Sequence, residues 1–163
     1  MCEECVADGC SKPRIGDFSL EPSKEFYQKL AKAMNEQASV IDRVFPPRVN
    51  VLLPFLERVA EDVIAEYVTA IVDQAHDRDI RQYLTAVTGL FKQSVEFGAS
   101  LTPTKGSGPK FREDVQNVIA QIFDAHTDLY LQEELDFFRK RSEIEVDTWD
   151  QKVPHHPPLT RTF

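Results

Sequence analysis

Glycine is scarce in this chain, with six residues in 163, and none falls between positions 50 and 76 or between 109 and 151. A Gly-rich phosphate cradle or a series of tight β-turns needs the left-handed backbone that glycine supplies most readily, so those two long stretches are free to be helical. Strict apolar–polar alternation over four to eight residues is also missing, which excludes half-buried strands. No run reaches the 18 or more apolar residues that would span a bilayer. Basic residues fall short of acidic ones, 19 Lys+Arg against 27 Asp+Glu for a net charge of -8. That balance argues against broad electrostatic binding to nucleic acid or anionic lipid. The most basic run, Arg139-Lys140-Arg141, is bordered by acids and reads as a solvated helix face.

The three cysteines, Cys2, Cys5 and Cys10, are confined to the first ten residues. Their Cys-x-x-Cys spacing begins a zinc pattern, but a structural zinc takes four ligands. The nearest histidine in sequence is His76. The expectation is free thiols in a flexible terminus. The start Met1-Cys2-Glu3-Glu4 has no apolar run of the secretory kind, and no cysteine stands four from the end to form a prenylation box. Together these features lead to an expectation of a cytoplasmic protein in a reducing compartment.

What the chain does contain is helical periodicity. Residues 1–20 carry none and are expected to be disordered, as is the Pro-rich tail 153–163; a helical bundle is expected over 21–152. A first helix follows Glu21-Pro22-Ser23, with Ser23 as its expected N-cap. Phe26, Leu30, Ala33, Met34, Ala38, Ile41 and Val44 recur at helical intervals. It should end before Phe45-Pro46-Pro47, because the residue preceding proline is pushed out of the α region. A second helix should begin at the cap Asn50, hold Pro54 in its first turn and run to about His76. Its stripe comprises Val51, Leu52, Phe55, Leu56, Val59, Val63, Ile64, Tyr67, Val68, Ile71 and Val72. Glu57, Arg58, Glu61, Asp62 and Glu66 fall opposite. Asp77 or Asp79 should cap a third helix carrying Ile80, Tyr83, Leu84, Val87, Leu90, Phe91, Val95 and Phe97, with Gly89 marking close helix approach. The turn signal at 102–109 must reverse the chain.

The last pattern runs from about Pro109 to Gln151, a rod of roughly 60 Å at about 1.5 Å per residue. Phe111, Val115, Val118, Ile122, Ala125 and Leu129 form one stripe; Ile119, Phe123, His126 and Tyr130 run beside it. Leu131, Leu135, Phe138 and Trp149 are expected to continue the apolar contact, with fraying or a free arm around 140–150. The fold class is all-α: about four helices in an antiparallel elongated bundle with a long C-terminal helix.

Residues that could carry chemistry are few. A di-metal carboxylate bundle needs two acid-x-x-His pairs and two more acids; Asp73 with His76 is a single pair. His126 sits among Ile119, Phe123 and Tyr130 and reads as a core or rim residue. The segment Lys105-Gly106-Ser107-Gly108-Pro109-Lys110 lacks the Walker order and any preceding strand, so it reads as an interhelix loop. Thr102-Pro103 alone is too short to mark a phosphorylation site. The acids Glu133, Glu134 and Asp136 read as solvated surface. The expectation is no catalytic, cofactor-binding or metal residue, no cofactor, no nucleic acid and no small-molecule substrate.

The strings Ile41-Asp42-Arg43-Val44-Phe45-Pro46-Pro47, Val51-Leu52-Leu53-Pro54-Phe55, Arg58 to Val68, Leu101 to Gly108 and Asp128 to Phe138 carry a further signal. They resemble the fungal recyclins and, more distantly, the exocyst subunit of the Sec-ten type, over roughly residues 24 to 152. The resemblance implies stacked helical bundles forming a rod-like tether. Its expected partners are other subunits of a tethering complex, reached by helix packing, with peripheral membrane association at vesicle, endosome or plasma membrane through those partners. The implied function is a non-enzymatic scaffold in exocytosis and endosomal recycling. Recyclins also resemble ubiquitin-ligase substrate receptors, which makes a substrate-adaptor segment the alternative. The chain shows neither an F-box nor the recyclin prenylation cysteine and is shorter than family members, as an internal slice would be. A helical-bundle oxidoreductase is the enzyme-class alternative.

Overall fold

A computed structural model describes residues 19–152. The Cys2, Cys5 and Cys10 triplet and the tail from 153 lie outside them. Five α-helices, α1 (Glu21–Val44), α2 (Leu52–Val59), α3 (Ala65–His76), α4 (Ile80–Ser100) and α5 (Phe111–Lys152), account for most of that span, and a π-helical turn over Ala60–Ile64 joins α2 to α3. The fold is all-α, and no strand occurs among the described residues. Because α2, the π turn and α3 form one continuous rod, the architecture is four rods running up, down, up and down.

Cross-contacts give the directions. Tyr27 of α1 meets Ser94 of α4, and Asn35 further along α1 meets Ser100, so α1 and α4 run the same way. Thr69 of α3 meets His126 of α5 and His76 meets Glu133, so that rod and α5 are also parallel. Each of these pairs is antiparallel to the other pair. α4 is the common neighbour, packed against α1, α3 and α5, while α5 also covers α2 and the π turn.

The π turn explains the face that the second rod buries. Leu52, Leu56, Ala60, Ile64, Val68 and Val72 are all buried, a row spaced by fours. On a uniform helix of about 3.6 residues per turn, five such steps would drift roughly 200° around the axis. One extra residue in the hydrogen-bonded ladder midway along the row takes back about 100° and keeps it facing the core. The same shift turns Val63 outward, 42 % exposed against 1 % for Ile64. The expected burial of Val63 is thereby corrected. Phe55 is likewise exposed, so the buried stripe is narrower than the sequence pattern suggests. The acids and Arg58 opposite are solvent-facing as expected, with Arg58 paired to Glu61 and Asp62 at 3.6 and 2.9 Å.

Two helix starts also differ from expectation. α1 begins at Glu21 with Leu20 in the cap position, and Ser23 is no cap. It is buried, and its Oγ accepts the Tyr67 hydroxyl at 3.0 Å, joining α1 to α3. Val51 occupies the cap position of α2, although Asn50 Oδ1 still accepts the Leu53 amide at 3.4 Å. Asp79 stands at the start of α4, and α1 stops ahead of the Pro46-Pro47 pair. Tyr27, absent from the predicted stripe, is buried where Ala33 and Val44 are exposed.

Around Tyr27 the bundle has an aromatic knot. Phe26 stacks on Tyr67 at 4.0 Å, and Tyr27 meets Phe97 at 5.8 Å. The Tyr27 hydroxyl donates to Ser94 Oγ at 2.7 Å, and Ser94 in turn donates to the Leu90 carbonyl at 2.9 Å. Burial pushes the Tyr27 phenol up to about 12, against the partial lowering by its Ser94 bond. A buried phenolate would lose its hydration without a compensating cation.

Gly98 lets α5 lie close to α4, since a Cβ there would overlap Ile119 and Val115. Gly89 meets only the end of the Leu20 side chain, so the close approach expected there involves the lead-in to α1.

Candidate interaction surface

The residues with potential chemistry are dispersed. His126 lies at the rim between α3 and α5, 3.4 Å from the Thr69 hydroxyl. His76 packs edge-on against Tyr83, centroids 5.0 Å apart, and stands 3.5 Å from Glu133. The sequence gives no sign of that Glu133 contact, because it depends on two rods lying side by side. Burial, then the Glu133 and Asp73 carboxylates, raise the Tyr83 phenol above its usual range. Asp73 and His76 therefore belong to one polar rim. Among the described residues no group of three or more His, Cys, Asp or Glu is placed to hold a metal ion.

The loop from 101 to 110 is tied down through its backbone. Asn35 accepts the Thr102 amide at 2.8 Å, Asp42 accepts the Lys105 amide at 2.7 Å, and Ser107 Oγ accepts the Thr104 amide at 3.1 Å. These amides are spent on the fold and fix the course of the loop. Arg112 closes the end of α4 by donating to the Gly98 and Ala99 carbonyls at 3.3 and 2.6 Å. The segment is the interhelix reversal its composition implies.

Exposed apolar surface is the more informative feature. Between α4 and α5 lies an open groove of about 290 Å³ bordered by Val87, Thr88, Phe91, Ala120, Phe123 and Thr127. Phe91 and Phe123 meet edge to face at 5.2 Å, and Phe91 remains 44 % exposed. Val95, one turn on, is also exposed. Phe91 and Val95, part of the apolar set carried by this helix, lie on the flank of α4 that borders the seam with α5.

The second exposed region is the far part of α5. Ala125 and Leu129 are exposed, and Leu131, Leu135, Phe138 and Trp149 are more open still. The expected continuation of core contact along them is corrected. α5 has 42 residues and α4 only 21, so α5 has no partner of equal length and outruns the bundle. Arg81 over the Phe137 ring, 5.9 Å from its centroid, and the His76–Glu133 pair mark the departure. Helix continues to Lys152, so this end is an arm and does not fray within the described residues.

An all-α bundle whose longest helix overshoots it, with apolar faces left open, accords with one family description. The model of "Exocyst complex component Sec10-like, alpha-helical bundle" matches residues 11–160. The chain belongs to that family. No curated protein and no solved structure matches it significantly. Membership of this exocyst-type bundle family accords with the four-rod architecture and with the resemblance to the Sec-ten type; the match does not distinguish the recyclins within it. Among the described residues of this family member, no helix is long and apolar enough to cross a membrane.

Proposed function

We propose that the chain is a non-enzymatic scaffold segment of an exocyst-type tether, acting in vesicle-mediated transport and packing against helices of other tether subunits. The observation that carries this reading is the family match over residues 11–160. The groove between α4 and α5 supports it: a concave apolar seam between two antiparallel helices accepts the apolar face of a third. Membrane contact is then indirect and peripheral, at vesicle or plasma membrane, because the negative net charge disfavours anionic headgroups. The finer assignment, endosomal recycling as in the recyclins, rests on the sequence strings quoted above. The match lends no support to the ubiquitin-ligase alternative.

Affinity capture of the full chain from cells tests the reading. Exocyst subunits should co-purify, and Ala120→Arg, which fills the groove from an exposed position, should reduce their recovery about tenfold or more, a loss of roughly 1.4 kcal/mol or more. Recovery of no tether subunit at all would refute the assignment.

A further inference from the structure

Beyond the bundle, Leu131, Leu135, Phe138, Ser142, Val146 and Trp149 share one side of α5, within about 40° of a common line at about 100° per residue. All but Ser142 are more than half exposed. We propose that this stripe is covered by a second copy of the chain, the two arms lying antiparallel about a two-fold axis at Ser142. The proposal goes beyond the groove between α4 and α5 and uses none of its residues.

Two independent symmetries in the sequence point to this occupant. Leu135 and Trp149 lie equally far from Ser142 on its two sides, as do Phe138 and Val146. Antiparallel pairing therefore sets Leu135 against Trp149 and Phe138 against Val146, a large residue meeting a smaller one at both layers. At the crossing point the small Ser142 meets itself. A two-fold interface is self-complementary, so each contact occurs twice.

Charges bordering the stripe obey the same axis. Arg139, Glu143 and Asp150 lie along one border, where the same operation sets Asp150 against the uncharged Gln132; Glu134, Arg141, Glu145 and Lys152 lie along the other. The two-fold operation makes each border face its own copy. Arg139 then faces Glu143 of the second copy, Arg141 faces its Glu145, and Glu134 faces its Lys152. Within one chain Arg141 already contacts Glu145 at 3.2 Å, and Arg139 contacts Asp136 at 3.5 Å, so these side chains are held along the borders. Parallel, in-register arms would instead bring Arg139 beside Arg141 and set Glu143 between Arg141 and Glu145, so that repulsion offsets attraction at the centre. Opposite charges at such flanking positions set partner choice and orientation in paired helices.

The test is charge exchange in the full chain, read by sedimentation equilibrium and by the emission of Trp149, the single tryptophan. Wild type should dimerise reversibly, with a blue shift of the emission over the concentration range in which the mass doubles, and weaken as salt is added. The double variants R139E/R141E and E143R/E145R should each dissociate at least tenfold more readily. Mixed in equal amounts, they should regain wild-type association, because one arm is then wholly acidic and the other wholly basic at the four positions. Those side chains are exposed, so melting temperatures read at dilutions where wild type is monomeric should stay unchanged. A wild-type chain that is monomeric at every concentration overturns the proposal, as does a mixture that associates no better than either variant alone. Both results leave the tether assignment intact, since its own test reads subunit capture through the groove.

Discussion

Replacing Val63 and Ile64 in turn with aspartate separates two facings of the second rod. In an uninterrupted helix, Val63 belongs to the apolar stripe with Leu52, Leu56 and Val59. The π turn over Ala60–Ile64 hands that role to Ile64, which is 1 % exposed, and leaves Val63 42 % exposed. Full burial of a Val or Ile side chain is worth about 1.5–3 kcal/mol. Val63 keeps somewhat more than half of its burial, so Val63→Asp should cost roughly 1 kcal/mol. Ile64→Asp removes a side chain from a close-packed site, about 2–5 kcal/mol by comparison with truncation to alanine. It also places a carboxyl among Leu56, Ala60 and Val68, where an unpaired polar group costs several kcal/mol more. The sum approaches the whole stability of an average domain, about 5–15 kcal/mol. Urea unfolding followed by circular dichroism should show a cooperative transition for Val63→Asp, with a modestly lower midpoint. Ile64→Asp should yield little folded protein at any urea concentration. Equal damage from the two, or the reverse order, would show that the rod is uniformly α-helical and that the π turn is not what aligns its buried row.

Four further outcomes rest on contacts described above. Gly98→Ala should cost about 1–3 kcal/mol through overlap with Ile119 and Val115, whereas Gly89→Ala, meeting only the mobile end of Leu20, should be neutral or stabilising by up to about 1 kcal/mol from helix propensity; thermal melts compare them directly. Ser94→Ala should cost about 1–3 kcal/mol because it leaves the Tyr27 hydroxyl buried without its acceptor, and Tyr27→Phe should restore much of that loss in the double variant. For pH, the Tyr27 phenol rises on folding from 10.0 to about 12. Its contribution is complete below pH 10 and is lost as pH climbs through 12, so wild type should weaken over that window more steeply than Tyr27→Phe in urea titrations. Arg112→Ala should cost about 1–2 kcal/mol by uncovering the last carbonyls of α4, seen as faster amide exchange near Ser100.

Much of the fold is legible in the chain because local rules govern it. The four rods follow from helical periodicity, the end of α1 from Pro46-Pro47, and the reversal before α5 from the Thr-Pro-Gly-Ser composition between 102 and 109. The solvated face from Glu57 to Glu66 likewise needs no partner to be recognised. The interaction surface is less legible. The apolar spacing of Leu131, Leu135, Phe138 and Trp149 looks the same whether a neighbour covers it or not; the shortness of α4 relative to α5 is what leaves it bare.

Sequence alone determined that this protein is a set of amphipathic rods, because the period of apolar residues is a property of each segment by itself. Which side of each rod is buried was decided only in three dimensions. One extra residue in the α2–α3 rod swaps Val63 for Ile64. Ser23 changes from an apparent cap into the acceptor for Tyr67, and Glu133 meets His76 across a gap of more than fifty residues in the chain. Those outcomes depend on how rods of unequal length lie against one another, and a contact between two rods belongs to neither one's pattern.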